Sequence, residues 1–151
     1  ALAERLATTY TVVRYDQRGH GDSARPGGPY AMDDLVDDAA RLIREWGRGP
    51  VAWIGLSMGG MVGQGLAVRH PELLRGAVLA NTVARYPEAA RPTWAARVAA
   101  VEQGGMAAVA DAVKFGARAA KSPQQAMTDA QAEAMRILRN PALVQLTSRA
   151  T

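Results

Sequence analysis

A serine flanked by glycines is the residue of this 151-residue chain whose setting most clearly predicts chemistry. Gly55-Leu56-Ser57-Met58-Gly59 matches the pattern G-x-S-x-G, follows an apolar run and opens a helical pattern. Between a strand and a helix, this pattern places the serine on a tight, strained turn that lifts its hydroxyl clear of the sheet edge. Glycines two residues before and after the serine avoid the clashes that side chains would make. The sequence therefore predicts Ser57 as a nucleophile for acyl transfer.

The residue after the serine supplies the second predicted part of the site. The backbone N–H of Met58 is expected at the positive N-terminus of the following helix, where it points at the negative oxygen formed during attack. The alternative interpretation is a glycine-rich helix start that only packs closely on a strand, as in a dinucleotide-binding fold. A phosphate-binding G-x-G-x-x-G is absent, because Ser57 stands where its second glycine would be.

Neither of the two histidines is a convincing base for Ser57. His70 follows the serine, but the predicted helix between them separates the two residues by about 20 Å at 1.5 Å per residue. His20 precedes the serine in a glycine-rich loop, where local hydrogen bonding is the better interpretation. The acidic residues that follow in the helical part do not come after predicted strands: Glu88, Glu102, Asp111, Asp129 and Glu133. The sequence therefore predicts an incomplete catalytic triad.

Alternating strand and helix patterns must position the serine. The predicted strands are 10–15, 51–54 and 76–80, and the predicted helices between them are 32–46 and 61–70. This alternation is typical of βαβ crossovers and a parallel sheet, so the predicted fold class is α/β. Three strands do not make a stable doubly wound sheet alone, and the chain opens like the tail of a helix. We therefore expect a chain truncated at both ends.

The core-forming residues concentrate in the first part of the chain. Residues 1–83 hold 19 of the Leu, Ile, Val and Phe side chains, and residues 84–151 hold 10. The second part has helical patterns instead of strands, the first of them carried by Trp94, Val98 and Val101. We therefore predict a partial α/β core at 1–83 and a helical cap segment at 84–151.

Composition excludes several other kinds of site. There is no cysteine, and the proposed chemistry needs neither a metal nor an organic cofactor. The net charge of +4 comes from singly scattered basic residues, so we expect no nucleic-acid binding. No stretch has membrane-spanning length, and we expect a soluble, cytoplasmic protein whose partner is a small-molecule substrate. The oligomeric state stays open.

Several stretches resemble the α/β-hydrolase superfamily. Residues 13–23 resemble its D-x-R-G-x-G-x-S loop, and serine at position 57 argues against the branches that use aspartate, the epoxide hydrolases and haloalkane dehalogenases. Narrower similarities, at 59–64, 79–82 and 94–108, resemble the 3-oxoadipate enol-lactonase branch. The resemblance covers about residues 1–113 and fades after Lys114, where either a diverged cap or a shifted reading frame is expected.

The resemblance implies a mechanism and a substrate class. Ser57 would attack the carbonyl of an ester or lactone and form an acyl-enzyme, while the Met58 N–H and a donor from an upstream loop hold the oxyanion. Trp94 would face the substrate pocket, or else make only a core contact between cap and sheet. Asp16 and Arg18 could pair and stiffen their loop. The alternatives to an enol-lactonase are a general carboxylesterase or perhydrolase, and a non-catalytic truncated remnant.

Overall fold

A computed structural model describes residues 2–110 and the backbone of Gln145–Leu146. The helices and strands in chain order are α1 (Leu2–Ala7), α2 (Met32–Trp46), β1 (Val51–Leu56), α3 (Met58–Arg69), β2 (Leu74–Ala80), α4 (Arg91–Gly104) and β3 (Gln145–Leu146). Two single 3₁₀ turns, Pro71–Leu73 and Glu88–Ala90, precede β2 and α4. The described residues fall into two compact units, one up to Thr82 together with β3, and one from Val83 onward.

The sheet is parallel and is connected by a helix, which gives the predicted α/β class. β1 and β2 pair in parallel from Val51↔Leu74 to Leu56↔Ala80, with a register shift after the first pair. A parallel pair needs a crossover, and α3 provides it. β3 adds a two-residue parallel strand beside β2, where the sequence pattern predicted only helix, because two residues are too few to carry a strand signal.

The α2 helix has the bounds that the sequence predicts. Its first turn carries acidic residues, one of which, Asp34, accepts a hydrogen bond of 2.8 Å from the backbone N–H of Ala31. This bond satisfies a donor just before the helix begins, and the negative charge suits the positive helix end. Gly47 ends the helix in the left-handed conformation, with φ of 67°.

The core of the first unit lies between α2 and α3. Val36, Val62 and Leu66 are almost fully buried there. The α3 helix lies close to both β1 and β2, because it has a glycine where it contacts them. A Cβ on Gly63 would lie 2.6 Å from atoms of Trp53 and Leu79 in the two strands. Small residues on α3 therefore allow it to lie directly on the sheet.

The strand predicted at Tyr10–Tyr15 is wrong in the described structure. These residues belong to no ladder, and the sheet order places β1, with no strand on its other side, at an edge. The segment still contributes to the core, because Tyr15 packs against it and its ring centroid lies 6.2 Å from that of Trp53. β-branched and aromatic residues favour extended backbone, but a strand also needs a neighbour to pair with.

The predicted pairing of Asp16 with Arg18 is also wrong. Arg18 instead forms a two-pronged ion pair with Asp38 of α2, with N–O distances of 2.6 Å and 2.8 Å. Asp16 turns to its own loop, where it accepts a hydrogen bond of 3.2 Å from the backbone N–H of Asp22. Arg18 therefore ties the loop to α2, and its hydrogen bond lowers the pKa of Asp38 below the ordinary value of 3.8.

The second unit contains α4, which begins after a 3₁₀ turn, ends at Gly104 and includes the predicted helical pattern of Trp94, Val98 and Val101. No residue of α4 is buried. Residues 107–110 are helical, and residues 111–144 lie outside the described part of the chain. The division into core and cap at 83/84 stays a prediction. None of the helices in the described part is both long enough and apolar enough to cross a membrane.

Truncating the central side chain of α3 is expected to destabilise the first unit. Leu66 is fully buried, so Leu66→Ala loses apolar burial and leaves a cavity, which lowers the free energy of unfolding by about 2–5 kcal/mol. Chemical denaturation monitored by tryptophan fluorescence measures the loss. Val68→Ala is the matched control, because Val68 is 81% exposed and its truncation changes stability by less than about 0.5 kcal/mol. Equal effects of the two variants would contradict the observed core.

Removing the charge of Asp38 is expected to lower stability in a pH-dependent manner. Since the folded-state pKa of Asp38 is below 3.8, its carboxylate stabilises the fold above that pH, and the contribution disappears as pH falls through the lowered pKa. Asp38→Asn should therefore be less stable than wild type at pH 7, and the difference should shrink below pH 3.8.

Urea unfolding at a series of pH values measures this difference. Glu45→Gln is the control, because Glu45 lies on the exposed last turn of the same helix. This substitution should cost no stability at any pH of the series, since a negative charge at the end of a helix opposes the helix dipole. A difference for Asp38→Asn that stays constant down to pH 2 would show that the ion pair is not its source.

Candidate functional site

Ser57 occupies the junction between a strand and a helix. It lies between Leu56, which ends β1, and Met58, which begins α3, with φ of 52° and ψ of −113°. A positive φ is rare for a residue with a side chain, and such strained residues cluster at functional sites. The Ser57 residue is exposed, and its hydroxyl makes no hydrogen bond to any residue that the structure describes.

Backbone hydrogen bonds hold Ser57 in this conformation. Its N–H donates to the carbonyl oxygen of Ala80 at 2.9 Å, which extends the ladder between β1 and β2 by one bond. Its carbonyl oxygen accepts from the N–H groups of Gly60 at 2.9 Å and Met61 at 3.1 Å, which begins the helix. The same residue thus ends the strand ladder and starts α3, so neither element can move without the other.

The first glycine of the motif is sterically required. A Cβ on Gly55 would lie 2.1 Å from the carbonyl oxygen of Gly59 and 2.6 Å from the backbone nitrogen of Gly60. The indole N–H of Trp53 donates to the same Gly59 oxygen at 2.9 Å. The first turn of α3 therefore lies directly over the end of β1.

The steric reason predicted for the second glycine is wrong. A Cβ on Gly59 would meet nothing within 4 Å in the described part of the chain. The crowded position is the next one, Gly60, where a Cβ would lie 2.7 Å from the Cβ of Thr82. The pattern predicted a glycine requirement one residue too early, because the side chain that creates it follows β2 and is distant in sequence.

Met58 provides a free backbone donor beside the serine. It is the first residue of α3, and within the described residues its N–H donates to no acceptor. The first N–H groups of a helix have no partner within the helix and point along its positive end. This is the arrangement that an oxyanion needs, although the role of Met58 stays a prediction.

Neither histidine bonds to Ser57 within the described residues. His70 lies just beyond the opposite end of α3, where Arg44 donates to its Nδ1 at 3.1 Å. This contact joins His70 to α2, away from the serine. His20 contacts the carbonyl oxygen of Arg18 through Nδ1 at 3.2 Å, which is the local bonding that the sequence suggested.

Two of the acidic residues that follow Ser57 in sequence, Glu88 and Glu102, lie in the second unit, as does Trp94. Glu88 forms an ion pair of 2.6 Å with Arg91, whereas Asp111, Asp129 and Glu133 lie outside the described residues. Trp94 is 42% exposed, meets the ring of Tyr86 edge-on at 5.1 Å and has the Arg97 guanidinium 5.0 Å from its centroid. The role of Trp94 in substrate binding stays a prediction.

Two residues at the end of β2 were missed by sequence reasoning. Asn81, like Ser57, has a positive φ, of 46°, and Thr82 packs on the first turn of α3. The sequence offered Leu79–Thr82 only as part of a resemblance. Asparagine is a residue that tolerates the left-handed region, which was the available signal. Within the described residues, no group of three or more His, Asp or Glu side chains is arranged to hold a metal ion.

Comparison with known proteins supports this architecture. The family model described as alpha/beta hydrolase fold matches residues 1–132. A protein of Acinetobacter baylyi named 3-oxoadipate enol-lactonase 2 is 40% identical over 101 residues, which are 67% of this chain and 37% of that protein. A 2-(acetamidomethylene)succinate hydrolase of Mesorhizobium japonicum is 39% identical over 77 residues, 51% of this chain and 28% of that protein.

A solved structure extends the similarity to three dimensions. The enol-lactonase from Burkholderia xenovorans matches with a TM-score of 0.69 and 38% identity, over 75% of this chain and 43% of that one. The chain therefore spans less than half the length of these relatives. Since the family model matches most of its residues, the chain belongs to the α/β hydrolase fold family.

Proposed function

We propose that this chain is part of a serine hydrolase that cleaves an ester or a lactone, with Ser57 as its nucleophile. The observation that carries the proposal is the strained backbone of Ser57, with its positive φ, at the strand–helix junction. That backbone holds the hydroxyl exposed at the end of β1, at the positive end of α3. A hydroxyl in this position is accessible to a substrate carbonyl carbon while the backbone around it stays fixed.

The reaction proceeds through an acyl-enzyme. The Ser57 oxygen bonds to the carbonyl carbon while its proton passes to a base, and the carbonyl oxygen becomes an oxyanion that the Met58 N–H stabilises. The carbonyl re-forms as the C–O bond to the leaving group breaks, and the leaving oxygen takes up the proton. Water then attacks the acyl group in the same way and releases the acid and the free serine.

The relatives support a lactone as the substrate, and we propose 3-oxoadipate enol-lactone. One relative is named for hydrolysis of this compound, and the matched solved structure is an enol-lactonase. An enol is a better leaving group than a simple alcohol, since its oxygen anion is stabilised by the adjacent double bond. Cleavage of an enol-lactone therefore depends less on protonation of the leaving oxygen. We propose that Trp94 contributes a wall of the substrate pocket.

Two alternative functions are considered beside the enol-lactonase. A general carboxylesterase or perhydrolase would use the same strand–turn–helix segment around Ser57, residues 55–61, which we call the elbow. Such an enzyme would cleave simple aryl esters faster than the enol-lactone. A non-catalytic role is supported by the positions of His20 and His70, because neither is hydrogen bonded to Ser57. If the protein is instead a hydrolase, the base comes from residues outside the described part of the chain or from a longer protein.

Replacement of the serine is expected to abolish turnover. Ser57→Ala removes the nucleophile, so hydrolysis of 3-oxoadipate enol-lactone and of an aryl acetate should fall by about 10³-fold or more. Initial rates of the 151-residue chain and its variants with both substrates measure this. His70→Ala is the control, because His70 lies at the far end of α3 and its loss should leave the rate unchanged.

The outcomes separate the candidates. Faster cleavage of the aryl acetate than of the lactone would favour a general esterase. Turnover that survives Ser57→Ala would refute Ser57 as the nucleophile. A wild-type chain without turnover that is also not labelled at Ser57 by a fluorophosphonate would favour the non-catalytic alternative.

The strain at the serine is expected to be measurable as stability. Glycine adopts a positive φ freely, so Ser57→Gly releases strain that Ser57→Ala retains. The glycine variant should be more stable by about 1 kcal/mol, because strain of about 1–3 kcal/mol outweighs the extra freedom of glycine in the unfolded chain. Urea unfolding of the two variants measures the difference. A less stable glycine variant would mean that the backbone at Ser57 is not strained.

A further inference from the structure

Two non-glycine residues with positive φ lie at the C-terminal ends of neighbouring strands. Ser57 and Asn81 are the two non-glycine residues with positive φ in the described part of the chain. Each directly follows the last residue of a strand, and those last residues, Leu56 and Ala80, are partners in the parallel register. Strained backbone persists only where the surrounding structure holds it. The end of β2 is therefore a place to look for what holds the serine.

The turn at Asn81 brings a threonine onto the first turn of α3. A Cβ on Gly60 would lie 2.7, 2.8 and 2.9 Å from the Cβ, Cγ2 and Oγ1 atoms of Thr82. Gly60 is buried and Thr82 is half-buried. The threonine side chain thus fills the space that any side chain at position 60 would need, and it packs against the backbone of the helix turn that begins at Met58.

The contact of Thr82 with Gly60 depends on the shape of the side chain and includes no hydrogen bond from its hydroxyl. Its hydroxyl oxygen is buried and has no hydrogen-bond partner in the part of the chain that the structure describes. A buried hydroxyl without a partner stabilises a fold less than a methyl group of the same shape. The stabilising part of Thr82 is therefore the branched side chain that contacts Gly60.

We propose that Thr82 is a positioning residue for Ser57. Its side chain holds the first turn of α3 against the end of β2, and the hydrogen bond from the Ser57 N–H to the Ala80 oxygen, 2.9 Å long, ties the serine to the same strand end. The two contacts together keep Ser57 and the Met58 N–H in one geometry. The value of that geometry for catalysis rests on the proposed function, whereas the contact itself does not.

Native-state amide hydrogen exchange of the 151-residue chain tests the proposal without any substrate. The probes are the three bonded amides of the elbow, those of Ser57, Gly60 and Met61. Thr82→Ala should raise their exchange rates about fivefold, because the branched side chain no longer packs on the turn. Amides in the middle of α2 should change by less than about twofold.

Two matched variants separate shape from polarity and from general loosening. Thr82→Val keeps the shape and removes the hydroxyl, so the elbow amides should exchange as in wild type. Gly60→Ala should raise elbow exchange as Thr82→Ala does, because the new methyl group displaces Thr82. Gly59→Ala, one residue earlier in open space, should not.

Three results would overturn the proposal. Equal acceleration of the elbow and α2 amides by Thr82→Ala would mean that Thr82 contributes only to global stability. Elbow exchange raised as much by Thr82→Val as by Thr82→Ala would assign the effect to the hydroxyl. Unchanged elbow exchange in Gly60→Ala would mean that the contact does not hold the turn. None of these results bears on whether Ser57 is a nucleophile, which is decided by the turnover and labelling of Ser57→Ala.

Discussion

The strained backbone of Ser57, with its positive φ, is the constraint on which the rest of the first unit depends. The residue completes the ladder of β1 with β2 through its N–H and begins α3 through its carbonyl oxygen. A single peptide therefore sets both where the strand ends and where the helix starts. Because that backbone is costly for serine, the packing around it must be close enough to leave the chain no relaxed alternative.

Close packing comes from glycines facing larger groups. Gly55 leaves room for the first helix turn, Gly60 for Thr82, and Gly63 for side chains of both strands. Buried aliphatic residues of α2 then pack against α3. In each case the absence of a side chain on one element lets the backbone or a bulky group of another approach it. The contacts that hold the elbow come from the strand ends, from Thr82 and from the first turn of α3. None of them involves the serine hydroxyl.

The groups that the proposed reaction needs are of two kinds, those adjacent in sequence to Ser57 and those distant from it. The proposed nucleophile and the proposed oxyanion donor are adjacent residues, Ser57 and Met58, so one local turn positions both. A general base has no such local source, and within the described residues neither histidine is bonded to the serine. His70 is occupied by Arg44 at the far end of α3. Local structure can thus position the proposed nucleophile and donor, whereas a base for the proposed reaction depends on long-range folding.

The sequence by itself determined the elements whose signals are local. The apolar run of β1, the glycines around Ser57, and the acidic start and glycine end of α2 each lie within a few residues of what they specify. The tertiary structure decided whatever needs a distant partner. Tyr10–Tyr15 has strand-forming residues but pairs with no strand among the described residues. Arg18 bonds to Asp38, 20 residues away, instead of to its near neighbour.

The same division explains the glycine requirement in α3. The motif placed it at Gly59, but Thr82 imposes it at Gly60, since a turn at the end of β2 brings that side chain across. Backbone propensity and hydrophobic period depend on neighbours in sequence, and can therefore be predicted from it. Close approach between segments depends on how the chain folds back, which no local pattern contains.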